Sequence, residues 1–206
     1  MSTILYYVHD PMCSWCYGFA PTLNQLLERI PEQIRVERLL GGLAADSDLP
    51  MAVEIRDGLQ QAWRRIEERI PGIRFNFDFW ARCEPRRSTY RACRAVIAAR
   101  DQDRAFDRTM TAAVQRAYYR EARNPSDRGT LIALAVEIGV EPLCFAAALD
   151  APQTQDRLDL EIAHARSIGV DSFPSLVLDD DGSRWRIPVD YTDADTMLKT
   201  IEQVIG

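Results

Sequence analysis

The feature that most constrains this chain is a pair of cysteines placed where a strand hands over to a helix. Ile4-Leu5-Tyr6-Tyr7-Val8 is a short apolar run rich in β-formers. It stops at His9-Asp10-Pro11, because proline cannot donate to a central strand ladder. Beyond Cys13-Ser14-Trp15-Cys16, the residues Leu23, Leu26, Leu27 and Ile30 recur on one helical face ahead of Pro31. Ile34 to Leu40 reads as a second strand, broken by Gly41-Gly42. Together these make a β-α-β unit with a C-x-x-C at its first strand-to-helix junction.

The next stretch is helical in pattern. Ile55, Leu59, Trp63, Ile66 and Ile70 form a stripe closed by Pro71-Gly72, and a loop carrying Phe75, Phe77, Phe79 and Trp80 follows. Thr89 is placed to cap a helix running to about Ala99, and Phe106, Met110, Ala113, Val114 and Ala117 make another face. Ser126 reads as the N-cap of a helix that buries Leu131, Leu134, Ala135 and Ile138 and stops at Gly139. Pro142 opens a short helix, and Leu158, Ile162 and Ala165 belong to one ending at Gly169. Ser175 to Leu178 then predicts a buried strand, Asp179 to Gly182 a tight turn, Arg184 to Val189 the antiparallel partner, and Asp193 to Ile205 a closing amphipathic helix. The predicted fold class is α/β, a β-α-β half and a β-β-α half with a large all-helical insertion between them. Residues 1–43 with 155–206 are expected to form the sheet-containing domain, and 44–154 the inserted helical subdomain.

Composition enters as a filter on function. Hydrophobic residues at 47% and charged residues at 27% are those of a folded globular protein, and a net charge of −6 with no clustered basic tract speaks against nucleic acid as a partner. No stretch reaches the roughly 20 apolar residues that span a bilayer, and the start of the chain lacks the ordered regions of a signal peptide. No membrane association and a cytoplasmic location are therefore the expectation. The five cysteines, Cys13, Cys16, Cys83, Cys93 and Cys144, are an odd number in a chain large enough to stand without staples. In a reducing compartment an isolated C-x-x-C means redox or metal chemistry, and the alternative of a structural zinc site needs four ligands from a chain with two histidines.

Redox chemistry assigns each cysteine a role. A thiolate, not a thiol, attacks a disulfide, and the unpaired N–H groups and positive dipole end of a helix N-terminus favour the anion at Cys13. Ser14 and Trp15 add no charge, and an ionised Asp10 close by would oppose the effect. Cys16, within the first turn, can close onto Cys13 and expel a bound thiol. Far down the chain, Ser172-Phe173-Pro174-Ser175 places a proline at the start of a strand, which suits a cis peptide. In this topology that loop faces the cysteines, leaving the Phe173 backbone free to pair with an extended substrate. The candidate catalytic residues are Cys13 and Cys16, and the candidate substrate-binding residues are Ser14, Trp15, Phe173 and Pro174.

Asp10 through Phe19, Gly41-Gly42-Leu43, Phe75-Asn76-Phe77-Asp78-Phe79, Ala92 through Val96, and Gly169-Val170 through Pro174 resemble the DsbA-like (FrnE-type) thiol–disulfide oxidoreductases of the thioredoxin superfamily over essentially the whole chain. The resemblance implies a thioredoxin fold with an inserted helical subdomain, a redox-active Cys13–Cys16 pair, a cis-Pro174 loop and no bound cofactor. Phe173 stands where the family commonly has valine or threonine. Ser14-Trp15 differs from the Pro-His of periplasmic DsbA, so strong oxidant character is not implied. The expected activity is dithiol–disulfide oxidoreductase or isomerase chemistry on protein or small-molecule disulfides and thiols, with glutathione or another dithiol as redox co-substrate. The kappa-class glutathione transferases and hydroxychromene carboxylate isomerases share the architecture, and a glutathione-dependent isomerase or transferase is the alternative. Those enzymes typically carry serine in place of Cys13. A chaperone that merely kept the fold would have no need of the two thiols.

The other candidates carry quieter expectations. His9 is read as a strand-end residue satisfied by a neighbour, and His164 as a surface or packing residue. Cys93 and Cys144 are read as small core residues, Cys83 as a loop residue with a conceivable disulfide to Cys93. The Phe75 to Trp80 cluster is read as a lid packed between insertion and core.

Overall fold

The computed structural model describes residues 3–205. Its sheet has the order β2-β1-β3-β4, in which β1 (Thr3–His9) pairs parallel with β2 (Ile34–Leu40) and antiparallel with β3 (Ser175–Asp180). β4 (Ser183–Ile187) closes the sheet antiparallel to β3. β1 lies at the centre with both faces covered, and this is why its sequence is a continuous apolar run and not an alternation. Successive side chains still point to opposite faces. Leu5 and Tyr7 pack with α1 (Ser14–Leu27) and α9 (Ala194–Ile205), whereas Tyr6 and Val8 pack with Ala165 and Ile168 at the end of α8 (Pro152–Ser167).

Between β2 and α8 lie α2 (Val53–Arg69), α3 (Phe79–Arg82), α4 (Tyr90–Arg100), α5 (Phe106–Tyr119), α6 (Arg128–Glu137) and α7 (Pro142–Leu149). α4 is buried from Ala92 to Ala99, because it is enclosed by α5, α6, α7 and α8. Four alanines and Cys93 in that stretch let the surrounding helices approach closely. The Phe75 to Trp80 segment closes around Trp63 of α2, with Phe75 stacked on the indole at 4.8 Å. Part of this segment is helical where a loop was expected, since Phe79 and Trp80 turn inward as α3.

Several local expectations need correction. α1 ends at Leu27, so Ile30 joins the same core from beyond the helix. Thr89 occupies the N-cap of α4 without capping it, and Ser126 does not occupy the N-cap of α6, which is Asp127. Both hydroxyls serve tertiary contacts instead: Ser126 donates to the Ser88 carbonyl and Thr89 to Asp10. Cys144 is exposed, not core, because Phe145 and Leu149 are the α7 residues that turn inward and leave it on the outer face. The hairpin turn is shorter than expected. Asp180 pairs with Ser183, and Asp181 (φ 48°) and Gly182 (φ 89°) make the two-residue turn that matches the strands' twist.

Candidate redox site

The site begins with the chain leaving β1. Asp10, Pro11 and Met12 make a turn in which the Cys13 N–H donates to the Asp10 carbonyl at 3.0 Å and the Met12 N–H to Asp10 Oδ1 at 2.8 Å. Tyr119 of α5 pins the turn from the insertion side, its hydroxyl donating to the Met12 carbonyl at 2.6 Å. Cys13 therefore enters α1 as its N-cap, in extended conformation (φ −80°, ψ 118°), with its side chain unused for capping. Its Sγ lies 3.5 Å from the Phe173 carbonyl oxygen.

Cys16 sits one turn deeper and is fully buried. Burial pushes its thiol well above the ordinary cysteine value, and the hydrogen bond and charge of the neighbouring Cys13 push in the same direction. Tyr7 of β1, also buried, is likewise held well above the usual phenol range, first by desolvation and then by the charge of Cys16. The two thiols are both free.

The Phe173–Pro174 peptide is cis. The Phe173 ring lies against Gly41, where a Cβ would stand 2.0 Å from the ring's Cε1. Gly41 donates its N–H to the His9 carbonyl at 2.7 Å, so the end of β2, the end of β1 and the proline loop are locked together at one glycine. On the outer side Trp15, half-exposed, packs on Tyr191 at 5.1 Å, and the Arg69 guanidinium stands over both rings at 5.7 and 5.2 Å. Ser14 is mostly buried, with its exposed fraction at 8%.

Beneath the pair lies a carboxylate. Asp10 is fully buried and accepts bonds from the Leu43 N–H at 2.8 Å, the Thr89 hydroxyl at 2.6 Å and the Cys93 thiol at 3.5 Å, in addition to Met12. Desolvation raises its pKa above the carboxylate norm despite those donors. His9, its neighbour, is also fully buried. Its Nε2 faces Arg38 Nη2 at 3.1 Å, and since arginine only donates, the ring proton belongs on Nδ1, which has no hydrogen-bond partner among the described residues, so a neighbour satisfies only one of the two ring nitrogens. Burial, with Arg38 and Arg100 nearby, holds this histidine well below its ordinary value and so neutral.

The structure thus brings Cys13, Cys16, Phe173 and Pro174 together, with Ser14 and Trp15 between them on α1. Gly41, Tyr119, Tyr191, Arg69 and Thr89 complete the surroundings and were missed in the sequence. Gly41 had a signal, read as a strand stop and as part of the family resemblance but not as a site residue. Cys93 is buried as expected, but its contact with Asp10 was not foreseen. Cys83 is half-buried with its thiol 3.2 Å from the Ala122 carbonyl, and both it and Cys93 are free thiols. His164 is half-buried, with its ring edge-on to Tyr6 at 5.1 Å. Among the described residues, no group of three or more His, Cys, Asp and Glu side chains is placed to hold a metal ion, and no helix is long and apolar enough to cross a membrane.

Comparison with known proteins decides the family. The profile of the DSBA-like thioredoxin domain matches residues 4–202. The chain belongs to this family. As a DSBA-like protein it is a thiol–disulfide oxidoreductase, with the thioredoxin fold and helical insertion that the motifs imply. The cytosolic disulfide reductase DsbM from Pseudomonas aeruginosa is similar at 27% identity, covering 98% of each chain with a TM-score of 0.78, and has also been solved with GSH. A Nitrosomonas europaea protein provisionally named a protein disulfide isomerase shares the fold at 24% identity and a TM-score of 0.86, over 100% of this chain and 98% of that one. The ClpXP adapter protein SpxH from Halalkalibacterium halodurans is 23% identical over 86% of this chain, which spans 58% of that relative's length.

Proposed function

We propose that this DSBA-like protein reduces or isomerises disulfides in the cytosol, attacking through Cys13 and resolving through Cys16. The observation that carries the reading is the unequal placement of the two sulfurs. Cys13 caps the N-terminus of α1 with its Sγ beside the Phe173 carbonyl, whereas Cys16 lies fully buried one turn below with a thiol that resists ionisation.

Chemistry follows from that asymmetry. The Cys13 thiolate attacks one sulfur of a substrate disulfide, forming a mixed disulfide and releasing the other sulfur as a thiolate. Cys16 then attacks Cys13 Sγ, its proton passing to the departing substrate sulfur, and the Cys13–Cys16 disulfide forms as the substrate gains two electrons. Two thiols of glutathione, or another dithiol, return the pair to the reduced state. No bound cofactor enters the cycle. Phe173 and cis-Pro174 present a backbone edge beside Cys13 to which an extended substrate can pair, and the Trp15–Tyr191 face gives it an apolar flank. Support for glutathione comes from DsbM, solved with GSH, and for a cytosolic reductase from that protein's description.

The test is a trapping experiment. Cys16→Ala incubated with oxidised glutathione or a disulfide-bonded peptide should accumulate one mixed disulfide, located on Cys13 by mass spectrometry. Cys13→Ala should stay unmodified at Cys16 over the same time. Equal labelling of Cys16 in the second variant contradicts the assignment of roles. Turnover of a glutathione-dependent reaction that survives replacement of both cysteines would move the reading to a glutathione-dependent isomerase.

A further inference from the structure

A second concave site lies away from the thiols, along the free edge of the sheet. It is a cleft of about 620 Å³ between β2, the end of α4, the approach to α5, and α8. Five arginines line it: Arg35 and Arg38 from β2, Arg100, Arg104 and Arg157. Three carboxylates, those of Glu37, Asp101 and Asp107, share the wall. The chain as a whole is acidic, with a net charge of −6, so this concentration of guanidinium groups runs against the overall field.

The pairing inside the cleft is incomplete. Asp107 is divided between two arginines, one oxygen facing Arg38 and the other Arg100 at 3.4 Å. Glu161 takes Arg100 from the α8 side, Asp101 takes Arg157, and Glu37 takes Arg35 at 2.7 Å. Arg104 has no carboxylate partner among the described residues. Even with Glu161 included, the wall carries one guanidinium more than it has carboxylates. Arg38 and Arg100 are not solvated surface residues, since their side chains are only 16% and 17% exposed. Burial holds Arg100 below its usual value even though Asp107 and Asp101 favour its charge.

We infer that this cleft binds a compact polyanion carrying two or more phosphoryl or carboxylate groups. Guanidinium forks match those oxygens bidentately, and the volume lies in the range of small-molecule sites. Val36 is the one apolar side chain in the wall, so there is no platform for a nucleobase, a lipid tail or an apolar peptide side chain. The site is distinct from the proposed redox centre and stands or falls independently of it.

Isothermal titration of the full chain with inorganic pyrophosphate and with citrate, in buffer of low ionic strength, tests the inference. The variant Arg35→Gln/Arg104→Gln removes the two more accessible guanidiniums of the cleft and leaves the buried pair intact. Arg65→Gln/Arg82→Gln removes the same charge from exposed positions elsewhere. One saturable site is expected, weakened roughly tenfold or more in the first variant, since each lost charge-assisted bond is worth about that factor, and unchanged in the second. Tighter pyrophosphate identifies a phosphoryl ligand, and tighter citrate a polycarboxylate. Absence of saturation with both anions, or equal weakening in both variants, overturns the proposal.

Discussion

The two ends of the His9–Arg38 contact handle charge in opposite ways. On the thiol side, the buried carboxylate of Asp10 is met by neutral donors: two backbone N–H groups, a hydroxyl and a thiol. On the cleft side, carboxylates meet guanidiniums directly and share them. A full cation bonded to Asp10 would bias both sulfurs together. Neutral donors hold the turn in place and leave the difference between Cys13 and Cys16 to helix position and burial. The redox end is thus organised by geometry and the cleft end by charge, so substitutions should separate them.

The largest effect is expected from Cys13→Ser, which should reduce disulfide exchange to background while stability and anion binding at the cleft stay unchanged. Loss of anion binding in that variant would break the separation. Gly41→Ala comes next. Its Cβ would overlap the Phe173 ring, and the clash with a backbone held to His9 should cost about 1–3 kcal/mol, typical of overpacking, and slow exchange by displacing the proline loop. Denaturant unfolding with an exchange assay checks both parts.

Asp10→Asn should cost about 1–3 kcal/mol, because an amide cannot accept from Leu43, Thr89 and Met12 together. It also has a pH signature. The folded-state value of Asp10 is raised above its ordinary 3.8, so the wild-type protein loses stability as pH rises from 3.8 through the raised value, and the variant loses that dependence. His9 works the other way. Held neutral in the fold and below its ordinary 6.5, it withdraws stability as pH falls below 6.5, by up to about 1.4 kcal/mol per pH unit. His9→Gln, which can still accept from Arg38, should flatten the acid side of the stability profile without touching the other. The smallest effect is Cys144→Ser, expected within about 0.5 kcal/mol of wild type, as suits an exposed side chain on α7.

These residues also mark how far the sequence could be read. The strands were legible because Tyr6, Val8 and Val36 are β-formers bounded by proline and glycine, and the Cys13–Cys16 pair because its chemistry and its place before a helix are both local. Pro174 was legible through its position before a strand. Caps were not: Thr89 and Ser126 have the right side chains, but tertiary partners at Asp10 and Ser88 claimed them. Cys144 was misread because α7 is apolar on every face, which hides the direction of its core. The Asp10–Cys93 and Arg38–Asp107 contacts join residues 83 and 69 positions apart, and no periodicity within one helix or strand records such a meeting. The arginine cleft was unreadable for the same reason, its wall being gathered from four separate elements.

The central claim is that Cys13 and Cys16 form a working two-electron couple, and equilibration in glutathione redox buffers tests it most directly. A single reversible transition is expected, with the Cys13–Cys16 disulfide identified by mass spectrometry and Trp15 fluorescence changing in step. Two thiols that stay free across the whole range, or glutathione bound without any Cys13–Cys16 disulfide, would contradict it.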